Sequence, residues 1–165
     1  MKIAGTAQDS IVDGPGLRFT VFTQGCPHHC DGCHNPQTHD FDGGEETTVA
    51  ELVKKLLGNP LTDGLTLSGG EPFAQARECA ELAAAARAAK LNVWAYSGYT
   101  FEELLELAKT HPEIMRLLEL TDVLVDGRFE KDGRSLELKW RGSRNQRVID
   151  VAKSLSSSEV VTLEQ

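Results

Sequence analysis

The sequence predicts an α/β fold, an open partial (β/α) barrel with mostly parallel strands. Three observations carry this expectation. Short apolar stretches rich in β-branched residues alternate with longer segments of helical periodicity, the pattern of successive βα units. Several of the strand-like stretches end in turns bearing Gly or Asp, at the sheet edge where parallel α/β folds bind ligands. The chain has 165 residues, well short of the roughly 250 of a full eight-unit barrel, so about five parallel strands fit. A chain of this length forms one domain, residues 1–165, with a real core.

The elements follow in order. Residues 1–16 hold a short apolar start and the turn Asp13-Gly14-Pro15-Gly16. Residues 17–23 (LRFTVFT) read as a strand, which delivers Gly25-Cys26-Pro27-His28-His29-Cys30-Asp31-Gly32-Cys33-His34-Asn35-Pro36 at its C-terminal end. Residues 41–46 are a polar loop. Thr47 or Thr48 caps a helix running to Leu57, with Val49, Leu52, Val53, Leu56 and Leu57 at helical spacing and Gly58-Asn59-Pro60 as its stop. A strand over 64–68 ends in Gly69-Gly70-Glu71-Pro72, and an alanine-rich helix of high propensity covers 73–90. The strand over 91–96 ends in Ser97-Gly98. Helices over 101–109 and 113–120 are divided by His111-Pro112. A strand over 121–125 ends at Asp126-Gly127. Residues 136–140 alternate as an edge strand would, 146–155 read as a helix, and 159–163 as a last short strand. The sequence contains no internal repeat or low-complexity linker.

Composition narrows the classes. A hydrophobic fraction of 40% and a charged fraction of 25% are those of an ordinary soluble globular protein. A formal net charge of −8 argues against a general nucleic-acid binder, which needs a basic face. No apolar run reaches the length of a membrane span and the start lacks a signal-peptide h-region, so the expectation is a cytoplasmic protein with no membrane partner. Four cysteines without a secretory context read as metal chemistry rather than disulfides.

Cys26, Cys30 and Cys33 stand in a C-x3-C-x2-C spacing. Thiolates this close wrap an iron–sulfur cluster, since each adds a soft anionic ligand. A [4Fe–4S] cluster takes four ligands, so three leave one iron open to a substrate. The alternative is zinc completed by His28, His29, His34 or His39. Cys79, inside the alanine-rich helix, reads as a small core residue. In Ser68-Gly69-Gly70-Glu71 the glycines let backbone approach a ligand, or form a plain strand-to-helix turn. Ser97 and Asp126 end the next two strands and face the same rim if those strands are parallel. The five histidines form no recognisable acid–base arrangement.

Taken together, these stretches resemble a known family. C-x3-C-x2-C is the signature of the radical S-adenosylmethionine (SAM) enzymes, and Val12-Asp13-Gly14-Pro15-Gly16-Leu17-Arg18 is similar to the entry segment of the glycyl-radical-enzyme activases. Six stretches resemble the branch whose protein substrate is the anaerobic ribonucleoside-triphosphate reductase. They are Gly25-Cys26-Pro27-His28, Gly32-Cys33-His34-Asn35-Pro36, Ser68-Gly69-Gly70-Glu71-Pro72, Tyr96-Ser97-Gly98-Tyr99, residues 122–129 and residues 141–147. The likeness runs from Ile11 to Arg147.

The resemblance implies a shortened radical SAM partial barrel. It assigns Cys26, Cys30 and Cys33 to a [4Fe–4S] cluster, Gly69, Gly70 and Glu71 to the SAM amino group, and Gly32, Cys33 and His34 to the adenine side. Ser97 is a SAM or ribose contact or a plain turn residue, and Asp126 a polar contact near the cofactor or a β-turn residue. It makes 141–147 a docking surface for the reductase, against the simpler reading of a solvated basic loop; Asp13-Gly14-Pro15-Gly16 shapes the site. The implied reaction is reductive cleavage of SAM to a 5′-deoxyadenosyl radical, with a flavodoxin- or ferredoxin-like electron donor and a glycyl radical formed on the reductase. A homodimer and action only within the reductase complex both stay open. So do activation of another glycyl-radical enzyme, such as pyruvate formate-lyase, a different radical SAM reaction, and a zinc-stabilised module without catalysis.

Overall fold

The structure, a computed structural model, describes residues 1–11, 14–28, 38–133, 140–141 and 143–163. Its strands are β1 (Lys2–Ser10), β2 (Arg18–Thr23), β3 (Glu45–Glu46), β4 (Gly64–Gly69), β5 (Asn92–Tyr96), β6 (Val123–Asp126) and β7 (Arg147–Asp150). Its helices are α1 (Val49–Leu57), α2 (Ala76–Ala88), α3 (Phe101–Ala108), α4 (Pro112–Leu120) and α5 (Val151–Ser157).

The seven strands form one sheet in the order β3-β1-β2-β4-β5-β6-β7. The central strands β2, β4, β5 and β6 run parallel, β1 and β7 flank them antiparallel, and β3 pairs antiparallel with the outer edge of β1. The order is linear, so the sheet is open. Register aligns Val21, Leu67, Ala95, Leu124 and Ile149 as one row across five strands. All five belong to the main core.

That core also takes residues from every helix, among them Leu52, Leu82, Leu104, Leu117 and Val151. The reason is topological. Parallel crossovers are as a rule right-handed, and between β2, β4, β5 and β6, which advance in one direction, that rule puts α1 to α4 on one face; α5 joins the same core from the end of β7. On the alternate positions, Trp94, Val123, Val125 and Val148 form a second, smaller cluster joined by Trp140. The Arg18 guanidinium lies 5.7 Å from the Trp94 ring centroid. Arg18 is itself fully buried, with Nε donating to Thr66 Oγ1 at 2.7 Å and Nη2 to the Leu65 carbonyl at 2.8 Å.

Local chemistry sets the helix starts. Thr48 caps α1 by accepting from the Glu51 amide at 3.2 Å. Thr100 and Glu103 form a reciprocal capping box on α3. Pro112 occupies the first turn of α4, where its missing N–H costs nothing.

The structure corrects several expectations. The helix expected over 146–155 is β7 followed by α5, with Asp150 as the cap accepting from the Lys153 amide. Apolar residues at 148, 149, 151 and 155 suit either period, and pairing with β6 decides for a strand. The expected strand over 159–163 is a single bridge, Thr162 opposite Ile149, flanked by two backbone bonds that cover the outer edge of β7. The start of the chain is the nine-residue strand β1, hidden in the sequence because only Ile3 of it is buried. β3 lies in what reads as a polar loop. The helix expected over 73–90 begins as a 3₁₀ turn at Pro72–Gln75. The edge strand expected over 136–140 falls, but for Trp140, outside the described residues.

Candidate cofactor site

Parallel pairing brings the C-terminal ends of β2, β4, β5 and β6 to one rim. The cysteine loop leaves β2 there. Its base is closed by two backbone bonds, Gly25 N–H to the Thr38 carbonyl at 2.7 Å and Cys26 N–H to the His39 carbonyl at 3.1 Å. Cys26 is buried at that base. Cys30, Gly32, Cys33 and His34 lie outside the described residues, on the segment this base closes.

Gly69 and Gly70 are used to press one backbone onto another. Gly69 has φ +91°, and a Cβ there would sit 2.6 Å from the Thr23 nitrogen. A Cβ on Gly70 would overlap the Gly25 carbonyl and come within 2.9 Å of the Thr38 oxygen. The contact is fastened by Gly70 N–H to the Thr23 carbonyl and Glu71 N–H to the Gly25 carbonyl, each at 2.8 Å. The glycine motif is therefore docked directly on the base of the cysteine loop.

Glu71 is fully buried and its carboxylate is surrounded by donors. Ser97 Oγ donates to it at 2.9 Å from either oxygen, Gly98 N–H donates to Oε1 at 2.8 Å, and Phe73 N–H to Oε2 at 3.1 Å. His28 Nε2 lies 2.7 Å from Oε1; a carboxylate only accepts, so that nitrogen carries the proton. Such a set of donors satisfies a charge that would otherwise be costly to bury. Ser97 is thus turned toward Glu71, and its oxygen also accepts from the Tyr99 amide at 3.0 Å. The Tyr99 ring meets the His28 ring edge-on at 4.5 Å. Burial, then the nearby Glu71, pushes the Tyr99 phenol above its ordinary value.

Asp126, at the end of β6, is also buried but belongs to a different network. It accepts from the Phe101 amide at 2.8 Å at the start of α3, and from Arg147 through the amide at 3.2 Å, Nε at 3.1 Å and Nη2. Arg147 continues to Glu102, whose carboxyl its hydrogen bond holds below the usual range. Asp126, Arg147 and Glu102, with Thr100, Gly127, Arg128, Glu130 and Asn145, line a cleft of about 510 Å³.

The segment expected to be a docking surface is in part knitted to this rim. Gln146 Nε2 donates to the Gly127 carbonyl, Asn145 Nδ2 to the Arg128 carbonyl, and Arg141 Nη1 to the Gln146 carbonyl. Gly142 lies outside the described residues, as do Val12 and Asp13 of the entry segment. Sequence reading quoted His28, Gly98 and Tyr99 within resembling stretches, but gave His28 a role only as an optional zinc ligand and gave Gly98 and Tyr99 none. The signal for them was present: all three sit within three residues of a predicted strand end or cysteine.

The donor chemistry fits an iron–sulfur cluster. A buried thiol, the soft donor such a cluster takes, stands at the closed loop base. Comparison with known proteins agrees. The model of the 4Fe–4S single cluster domain family matches residues 12–149. An anaerobic ribonucleoside-triphosphate reductase-activating protein of Enterobacteria phage T4 is 38% identical, the alignment covering 83% of this chain and 86% of that protein. Proteins of the same name from Pasteurella multocida and Escherichia coli K12 are 37% and 36% identical, over 82% of this chain and 89% and 90% of theirs. The chain accordingly belongs to the family of anaerobic ribonucleoside-triphosphate reductase-activating proteins, built on a 4Fe–4S single cluster domain.

Proposed function

We propose that the chain is a radical SAM activase that generates the glycyl radical of an anaerobic ribonucleoside-triphosphate reductase. The observation that carries this is the docking of Gly69-Gly70-Glu71 on the base of the Cys26 loop, at the C-terminal rim of a parallel sheet. Cys26, Cys30 and Cys33 would hold the [4Fe–4S] cluster, and Gly69 to Glu71 would face the SAM amino group. When bound, the cluster supplies one electron that cleaves SAM to methionine and a 5′-deoxyadenosyl radical, and a glycine of the reductase gives up the hydrogen atom.

The chain's own residues bind and orient. Gly32, Cys33 and His34 take the adenine side. Ser97 holds the Glu71 carboxylate in place, and Asp126 holds the neighbouring rim through Arg147 and α3. We read both as shaping the site. Helices on one face of strands that advance in one direction favour a shortened partial barrel of the radical SAM type. Among the described residues no helix is long and apolar enough to cross a membrane. The electron comes from a flavodoxin- or ferredoxin-like protein.

The test is an electron paramagnetic resonance experiment. Anaerobically reconstituted protein, SAM and a reductant are mixed with the reductase and, separately, with pyruvate formate-lyase. A SAM-dependent glycyl doublet with the reductase alone is expected, and Cys33→Ala abolishes both the doublet and 5′-deoxyadenosine formation. A doublet with the lyase alone changes the partner; no SAM cleavage at all sinks the reading.

A further inference from the structure

His28 stands two residues after Cys26 and two before Cys30, yet its side chain is not directed to solvent. It is 3% exposed. Its Nε2 faces Glu71 Oε1 at 2.7 Å, and its ring meets the Tyr99 ring edge-on. The same Oε1 takes the Gly98 amide and the Ser97 hydroxyl. One carboxylate oxygen therefore gathers donors from the cysteine loop and from the end of β5. Gly98 supplies the floor: the three heavy atoms nearest a Cβ placed there all belong to the His28 ring, and the closest would overlap it. Gly98 is not in the left-handed region, so space for the imidazole, not backbone conformation, is what demands glycine.

We propose that His28 is a positioning residue, clamped between Glu71, Tyr99 and Gly98, that locks the chain linking the first two cysteines to the SAM-facing motif. This rests on the cluster reading of Cys26, Cys30 and Cys33. The physical case is that a buried imidazole costs stability unless bonded, and here its bond ends on the carboxylate of the motif whose backbone already docks on the loop. Loop and motif are then fixed at two separated points, by backbone at Gly25 and by side chain at His28. Two anchors suppress the loop rotation that one would allow. Placement errors of about 1 Å cost roughly a hundredfold in reactions that depend on orientation.

The test uses His28→Ala, His28→Gln, Gly98→Ala and the double variant H28A/G98A. Each holoprotein, reconstituted anaerobically, is assayed for iron and sulfide, for SAM affinity, and for the change SAM makes in the spectrum of the reduced cluster. Amide exchange is followed in the iron-free chains. His28→Ala should keep its iron, since all cysteines remain, but bind SAM about tenfold more weakly. Exchange should quicken at residues 71–73 and 97–99 and not in α2 or α4. His28→Gln, which keeps an N–H donor, should recover much of both. Gly98→Ala should reproduce the His28→Ala defect in the wild-type background and add nothing once the imidazole is gone.

Unchanged SAM affinity and exchange in His28→Ala would overturn the proposal. So would equal damage by Gly98→Ala with and without the imidazole, or global unfolding of His28→Ala that His28→Gln fails to relieve. A wild-type chain that takes up no iron removes the cluster reading instead, while the exchange measurement still decides whether His28 clamps the two segments.

Discussion

Arg147, the first residue of β7, donates to both carboxylate oxygens of Asp126, the last residue of β6, through its amide and its guanidinium. The pair closes the end of the one antiparallel ladder that adjoins the parallel strands on this side of the sheet. Asp126 is 1% exposed. Removing the cation while leaving such a buried carboxylate typically costs about 3 kcal/mol. Arg147→Ala should show this in denaturant unfolding, and Arg147→Ala/Asp126→Asn should recover part of it. If the single variant is as stable as wild type, the pair does not hold the rim.

The outer arm of this network predicts a pH dependence. The hydrogen bond from Arg147 lowers the Glu102 carboxyl below its ordinary 4.5. A carboxyl lowered on folding stabilises the fold fully above its unfolded value, and that contribution fades as pH falls through the folded value. Glu102→Gln should therefore be less stable than wild type at neutral pH, by about 0.5 kcal/mol for so exposed a pair. The difference should vanish in acid. Thermal unfolding of the metal-free chains across this range measures it.

Gly70→Ala tests the docking of the glycine motif. The added carbon meets the Gly25 carbonyl, which is backbone and cannot swing aside. Overpacking of this kind costs about 1–3 kcal/mol, and here it pushes the motif off the cysteine loop. Reduced iron uptake and weaker SAM binding should accompany the lost stability. Normal uptake would mean that the contact does not shape the site.

Cys79 should behave unlike the other cysteines. It lies fully buried in α2, and desolvation pushes its thiol far above the ordinary value. Cys79→Ala should keep its iron and lose about 1 kcal/mol from the missing sulfur contacts, whereas Cys26→Ala should lose its iron. Iron and sulfide assays on the two variants, beside an unfolding curve, separate a ligand from a packing residue.

The parts legible in the sequence are those whose local chemistry and tertiary role agree. The strand ending at Thr23 and the helix capped by Thr48 have matching propensity, period and burial. The cysteine spacing pointed to the superfamily and residues 122–129 and 141–147 to the reductase-activating branch, which the curated relatives bear out. The illegible parts are those decided by a neighbour. β1 is polar along most of its length and is a strand because β2 offers it a free edge. Residues 147–150 could have been helical, and β6 makes them extended.

The sequence by itself determined the soft ligand set, the alternation of strands and helices, and the glycines where backbone must pass closely, because these depend on residue type and spacing. Only the tertiary structure decided what the polar residues at the strand ends do. In one dimension Glu71 reads as a cofactor contact, and Ser97 and Asp126 each as a cofactor contact or a turn residue. In the fold, Glu71 gathers His28, Ser97 and Gly98, while Asp126 takes Arg147 and the start of α3. A buried carboxylate must find donors, and which donors lie within reach is set by strand order and register, which no local stretch of sequence contains.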